Sequence, residues 1–264
     1  MTKNERLVIC SKKGSSAVIT IQNPPVNALS LEVVQQLINV LEEIEMDDDI
    51  AVVITTGIGG KAFVAGGDIK EIPGRIGKGE KYAEMKSIEL QRPLNQLENL
   101  SKPTIAAING IALGGGTELT LACDLRITEE QARIGLTETT LAIIPGAGGT
   151  QRLPRLIGEG KAKEIMYTGK PITAKEAKEI NLVNYITSRG EALNKAKEIA
   201  KDISEFSLPA LSYMKLAIRE GLAVPLQEGL QIEARYFGKV FQTEDVKEGV
   251  KAFIEKRVPR FTNK

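Results

Sequence analysis

The stretch IAAINGIALGGGTE occupies residues 105–118. Its first part belongs to an apolar run, 103–109, that reads as a strand. Gly114, Gly115 and Gly116 then turn the chain, and the apolar run from Thr117 reads as a helix. The first amides of a helix have no internal partner and carry the positive end of its dipole. Glycine lets a ligand approach that backbone closely, so an oxygen gaining negative charge is well placed there. Glu118 stands about one helical turn past Gly115 and can overhang the same end. A carboxylate among backbone donors and apolar side chains suits acid–base chemistry. A first-turn glutamate that only complements the dipole has the same signature.

Working outward, residues 63–70, FVAGGDIK, end an expected strand (61–65) on two glycines, and Asp68 opens a helical turn. The Gly67 amide is a candidate second donor toward the same oxygen. Downstream, residues 135–155 read GLTETTLAIIPGAGGTQRLPR and place Glu138 among threonines. The PGAGGT segment lacks the Gly-Lys-Ser/Thr ending of a phosphate loop, so it reads as a tight backbone crossing.

The remaining elements follow from periodicity and punctuation. A strand is expected at 18–22, broken by Asn23-Pro24-Pro25-Val26-Asn27. Ser30 caps a helix whose stripe is Leu31, Val34, Leu37, Ile38, Leu41 and Ile44. Asp47-Asp48-Asp49 is a solvated turn, 51–55 a buried strand, and Gly57 to Gly60 a turn. Residues 70–84, with Pro73, are expected to be a mobile segment or lid, followed by a helix over 82–100. A short strand is expected at 132–136, and Thr173-Ala174-Lys175-Glu176 is a capping box. From Glu191 onward the pattern is helical, with Thr243 as the last cap. An α/β core followed by a helical C-terminal part is the expected architecture.

Composition narrows the chemistry. The chain has 264 residues, 35 basic and 34 acidic side chains, and no histidine. Histidine-dependent triads, Cys-His pairs and histidine-bearing metal sites are excluded. Cys10 and Cys123 are too few for a Cys₄ site, and Cys123 reads as a buried small hydrophobe. The net charge of +1 gives no drive toward nucleic acid or an anionic membrane. No apolar run is long enough to span a bilayer, and the polar N-terminus has no signal-peptide core. A cytoplasmic location is expected.

Taken together and in order, AGGD, NGIALGGGTEL and PGAGGTQRLPR closely resemble the crotonase superfamily, the enoyl-CoA hydratases and isomerases. The match runs from Asn23-Pro24-Pro25-Val26-Asn27-Ala28-Leu29 to Glu248-Gly249-Val250-Lys251-Ala252-Phe253. The resemblance implies an α/β spiral of repeated β-β-α units over 1–200 and a helical trimerisation region over 201–264, with homotrimers or hexamers as the assembly. It implies an oxyanion hole from the Gly67 and Gly115 amides, binding the thioester carbonyl of an acyl-CoA. Glu118 and Glu138 map onto the two glutamates that hydratases carry. Both being present selects hydration over isomerisation within the family.

The backbone at Val26, Ala28, Ala65, Gly66, Asp68, Ile69 and Gly114 would line the CoA channel, with Ala65 bonding the adenine. Lys70 would meet CoA phosphates or remain a solvated lysine, and Phe253 and Lys256 would close over the CoA. No metal or separate cofactor is implied, because CoA is part of the substrate. The chain departs from many hydratases in having Gly67 where they have alanine, Thr137 where proline is frequent, and Ala142 where glycine is common. The LTETT and GGTQRLPR wording is most similar to the branch holding methylglutaconyl-CoA hydratases, some of which bind AU-rich RNA. Nucleic acid is not an expected partner here.

Overall fold

A computed structural model describes residues 6–263; Met1–Glu5, most of the polar N-terminal stretch, and Lys264 lie outside the described residues. The chain alternates between two sheets. A hairpin of β1 (Val8–Lys13) and β2 (Ser16–Ile21) leads into α1 (Leu31–Glu45), and three turns of one pattern follow. The first is β3 (Val52–Gly57), β4 (Ala62–Val64) and α2 (Glu80–Asn99). The second is β5 (Thr104–Ile108), β6 (Ile111–Leu113) and α3 (Gly115–Leu121). The third is β7 (Leu125–Glu129), β8 (Arg133–Gly135) and α4 (Gly149–Ile157). In each turn the first strand joins a six-stranded sheet and the second a four-stranded sheet. Then come α5 (Glu159–Thr168), β9 (Ile172–Thr173), α6 (Ala174–Glu179), β10 (Tyr185–Thr187) and four helices: α7 (Ala192–Ile203), α8 (Leu208–Gly221), α9 (Leu226–Val240) and α10 (Glu244–Ile254). The sheet orders are β1-β2-β3-β5-β7-β10 and β4-β6-β8-β9. Among the described residues only β1–β2 and β8–β9 pair antiparallel. The repeated β-β-α spiral is therefore present.

Burial explains the strands. β3 and β5 are buried at every position, as parallel strands covered on both faces must be. Asn109 fixes one corner between the sheets: its carbonyl accepts from the Gly57 amide (3.3 Å) and its amide donates to the Gly57 carbonyl (2.8 Å). The Asn27 side-chain amide donates to the Ile58 (3.1 Å) and Ala62 (2.9 Å) carbonyls. The Ser30 cap and the α1 stripe are as expected, except that Val33 and not Leu31 is buried. The capping box at Thr173–Glu176 and the Thr243 cap are also present. Cys123 is buried.

Several boundaries differ from the sequence reading. Gly57 ends β3, and is not part of the following turn. Within 70–84, 3₁₀ turns lie at Ile69–Glu71 and Pro73–Arg75, and α2 begins at Glu80. Asp68 causes the first of these turns by accepting from the Lys70 amide (3.0 Å). Helix α3 begins at Gly115, two residues early, because glycine can supply the N-terminal turn.

Helix α3 is short and buried, so both its ends need partners. At its C-terminal end the buried Arg126 guanidinium donates to the carbonyls of Thr120 (3.2 Å) and Cys123 (2.6 Å). A cation there also complements the dipole. At its N-terminal end Gly114 has φ 51°, a left-handed conformation that side chains disfavour. The C-terminal helices are tied to the core by Lys215, which reaches Asp124 (2.9 Å) and the Lys102 carbonyl (3.1 Å). Among the described residues no helix is long and apolar enough to cross a membrane.

Candidate active site

Four chain segments converge on one cleft of about 1170 Å³. They are the turn after β4, the start of α3, the residues from Thr137 to Arg155, and one face of α2. The turn after β4 is held by Leu29. The Leu29 amide donates to the Gly66 carbonyl (2.9 Å), and the Asp68 amide donates to the Leu29 carbonyl (3.3 Å). These two bonds form an isolated parallel bridge between Leu29 and Gly67. In a parallel ladder the residue between two bonded neighbours directs its own amide to the opposite side. The Gly67 amide therefore points away from Leu29.

Gly115 packs against this turn and against the Leu29 side chain, whose Cδ1 lies 3.2 Å from where a Gly115 methyl would be. A methyl placed on Gly115 would lie 3.6 Å from the Gly67 nitrogen and 3.8 Å from the Gly66 carbonyl carbon. Gly115 is the first residue of α3, so its amide has no helical partner. The two amides proposed from sequence are thus neighbours at the cleft wall. The Gly67 position has ordinary room for a methyl, its nearest foreign atom being 4.0 Å away.

Both glutamates line the same cleft. Glu118 is 2% exposed, and its Oε1 accepts from the Ala147 and Gly149 amides, each at 2.8 Å. Burial pushes its carboxyl up to about 7. The Gly149 amide opposes that rise, the Glu138 charge adds to it, and the Ala147 amide and Arg152 oppose it. Glu138 opens a 3₁₀ turn, Glu138–Leu141. Its carboxyl is also raised, by burial, with the amides of Glu138 and Thr137 offsetting part of the rise. Glu138 Oε1 comes within 3.0 Å of where a methyl on Gly114 would be, and Oε2 is buried without a hydrogen-bond partner. An unpartnered buried oxygen is costly unless a ligand meets it.

The other expected residues divide. Ala65, Gly66, Asp68, Ile69 and Gly114 line the cleft. Val26 and Ala28 stand behind it: the Val26 carbonyl takes the Ala65 amide (3.1 Å), and the Ala28 carbonyl takes the Asn23 side chain (2.7 Å). With its amide committed, Ala65 has only its carbonyl to offer an adenine amine. Lys70 is exposed on the turn beside the cleft without lining it. Phe253 is 86% exposed, and neither it nor Lys256, at φ 55°, lines the cleft of this chain.

Sequence reasoning missed other cleft residues. The PGAGG turn, read as a backbone crossing, also supplies both amides that hold Glu118. Ser87, Gln91, Asn95 and Glu98 form one polar stripe along α2 that lines the cleft. Arg152 links that stripe to the turn. It forms a two-pronged ion pair with Glu98 (3.1 and 2.7 Å), and it donates to Asn95 (2.7 Å) and to the Ala147 carbonyl (3.1 Å). Among the described residues no group of three or more His, Cys, Asp or Glu is placed to hold a metal ion.

Comparison with known proteins agrees with this architecture. The enoyl-CoA hydratase/isomerase family matches residues 11–264. The protein YngF of Bacillus subtilis is 49% identical over 255 residues, covering 96% of each chain. The short-chain-enoyl-CoA hydratase of Clostridium acetobutylicum is 44% identical over 252 residues, covering 95% of each. The crystal structure of an enoyl-CoA hydratase from Bacillus anthracis superposes with a TM-score of 0.92 at 46% identity, covering 98% of this chain and 100% of that one. By sequence match, fold and the repeated strand-strand-helix turns, this chain belongs to the enoyl-CoA hydratase/isomerase family.

Proposed function

We propose that the protein hydrates the 2,3-double bond of an enoyl-CoA thioester, with Glu118 and Glu138 as its acid–base pair. What supports this reading is that a buried carboxyl, Glu118, and a half-buried one, Glu138, line one cleft together with Gly67 and Gly115. In this mechanism the thioester carbonyl takes hydrogen bonds from those amides. Polarisation makes C3 electrophilic, and the same amides stabilise the enolate oxygen formed when water adds. One such donor is worth about 2.7–4 kcal/mol. Glu118 takes the water proton as its oxygen bonds to C3, and Glu138 delivers a proton to C2. The reverse sequence dehydrates a 3-hydroxyacyl-CoA. The CoA moiety would run past Ala65, Asp68 and Ile69, with the Lys70 ammonium near its phosphates.

Addition of the protein to crotonyl-CoA is expected to bleach the enone absorbance. A panel of short, long and methyl-branched enoyl-CoAs then fixes the acyl preference. No turnover of any member, with tight binding of AU-rich RNA instead, would overturn the reading.

The pH profile offers a second check. Hydration needs one carboxylate and one carboxylic acid, and two carboxyls in one cleft titrate as a pair. With Glu118 as base, kcat/KM is expected to climb as pH rises toward about 7, where Glu118 ionises. An acidic limb near 4.5, where an unperturbed glutamate ionises, would contradict the burial argument.

The same reading assigns self-assembly as a homotrimer or hexamer to helices α8–α10. It is supported by apolar side chains left exposed on them in the single chain, among them Met214, Ile218 and Phe237.

A further inference from the structure

We propose that Ser87 and Gln91 are positioning residues for Glu118, gripping the Gly146 carbonyl so that the amide of the same peptide unit is aimed at the carboxylate. The proposal rests on Glu118 being the base, and it adds how helix α2 controls that base. Ser87 Oγ donates to the Gly146 carbonyl at 2.6 Å, and Gln91 Nε2 donates to the same oxygen at 3.0 Å. Gln91 Nε2 is also 3.3 Å from Ser87 Oγ, so the two donors brace each other. The nitrogen of that peptide unit belongs to Ala147, and its N–H donates to Glu118 Oε1 at 2.8 Å.

A peptide unit is planar and rigid. Fixing its oxygen therefore fixes the direction of its N–H. Two bonds into the carbonyl also polarise the unit and strengthen the N–H as a donor. The next carbonyl, on Ala147, is fixed from the other side by Arg152, which Glu98 and Asn95 hold. Helix α2 thus grips the turn at two successive carbonyls, through side chains spaced to share one face. Ala147, between Gly146 and Gly148 just before α4, would otherwise have wide freedom. The charged groups facing Glu118 are Glu138 on the 3₁₀ turn and Arg152 on α4. Neither is changed by altering Ser87 or Gln91.

The test uses the full-length protein carrying Ser87→Ala, Gln91→Leu, or both, with Ser87→Thr as the conservative variant. The side-chain carboxyl carbon of Glu118 is titrated by NMR, and kcat and KM are measured on crotonyl-CoA. Weakening the Ala147 donor removes stabilisation of the carboxylate, so Glu118 is expected to titrate at higher pH in the double variant. The acidic limb of kcat/KM moves with it, kcat drops about tenfold, and KM changes by less than about twofold. Ser87→Thr keeps the hydroxyl and restores both readouts. If the double variant does not fold, Ser87→Ala alone carries the same test with a smaller shift of the same sign. An unmoved Glu118 titration in a folded variant overturns the proposal, even if the rate falls. Failure of the hydratase reading is distinguishable: no variant, nor the wild type, then turns over substrate, while the titration still shifts.

Discussion

Replacing Glu118 by glutamine is expected to abolish most hydration and, at pH 8, to stabilise the fold. The rate loss follows from removing the proposed general base, an effect of roughly 10²–10⁴. The stability gain follows from burial. Glu118 is 2% exposed and its carboxyl is raised from 4.5 to about 7. The folded chain therefore binds this proton more tightly than the unfolded chain does. The stabilisation from that proton is fully present below pH 4.5 and is lost as pH rises through about 7. Once lost it amounts to roughly 3 kcal/mol. Glutamine has no charge to desolvate, and its Oε1 still accepts from the Ala147 and Gly149 amides. The variant is expected to melt above the wild type at pH 8, by an amount on the order of 10 °C, and to lose that advantage at pH 4. Glu138→Gln is expected to lose a comparable rate with a smaller gain in stability, because Glu138 is less buried. Melting curves at the two pH values, with enone absorbance kinetics, check all of this. Hydration by both variants at the wild-type rate would remove the glutamates from the mechanism.

The sequence displays what local chemistry determines and hides what distant contacts determine. Helix α1 was legible because a serine cap and an apolar stripe both lie within it. Strands β6 and β10, three residues each, were not. Strand β7 was hidden by its charged residues. Arg126 and Glu129 are buried there because carbonyls of neighbouring segments, Leu182 among them, receive the guanidinium, and Gln131 with the Ala192 amide meets the carboxylate. Helix α4 was hidden by its glycine start and by Pro154 within it.

The candidate site divides along the same line. Gly67, Gly115 and Glu118 stand in contiguous motifs whose backbone function can be argued from glycine and helix-end chemistry, whereas Glu138 was assigned only through the resemblance to the hydratases. Ser87 and Gln91 touch Gly146 across 59 and 55 positions, and Arg152 reaches Glu98 across 54. Nothing near those residues in sequence signals the contact. A polar stripe on α2, at 87, 91, 95 and 98, was the one available signal, and by itself it reads as a solvated face.

Gly116→Ala is expected to be the most damaging single-methyl change in the chain. An alanine Cβ at that position would lie 1.8 Å from the Val64 carbonyl oxygen and 2.7 Å from its carbon. Both are backbone atoms of β4, a buried strand, so no side chain can rotate away. Either α3 or β4 must move. Overpacking of this kind costs about 3 kcal/mol or more, on the order of 10 °C in melting temperature. The movement also acts on the chemistry. Strand β4 leads directly into Gly66 and Gly67, and α3 begins at Gly115, so separating the two elements parts the two amides proposed to hold the thioester oxygen. Any folded fraction is therefore expected to hydrate slowly even where Glu118 and Glu138 are intact. Gly160→Ala is the matched control. Gly160 lies in the first turn of α5 with nothing within 4 Å of a built Cβ, and alanine there favours the helix by up to about 1 kcal/mol. Thermal melts and crotonyl-CoA turnover of the two variants, side by side, separate a general intolerance of methyl groups from close approach at this crossing. A Gly116→Ala protein that melts with the wild type would mean that α3 and β4 are not in the contact that brings residues 67 and 115 together.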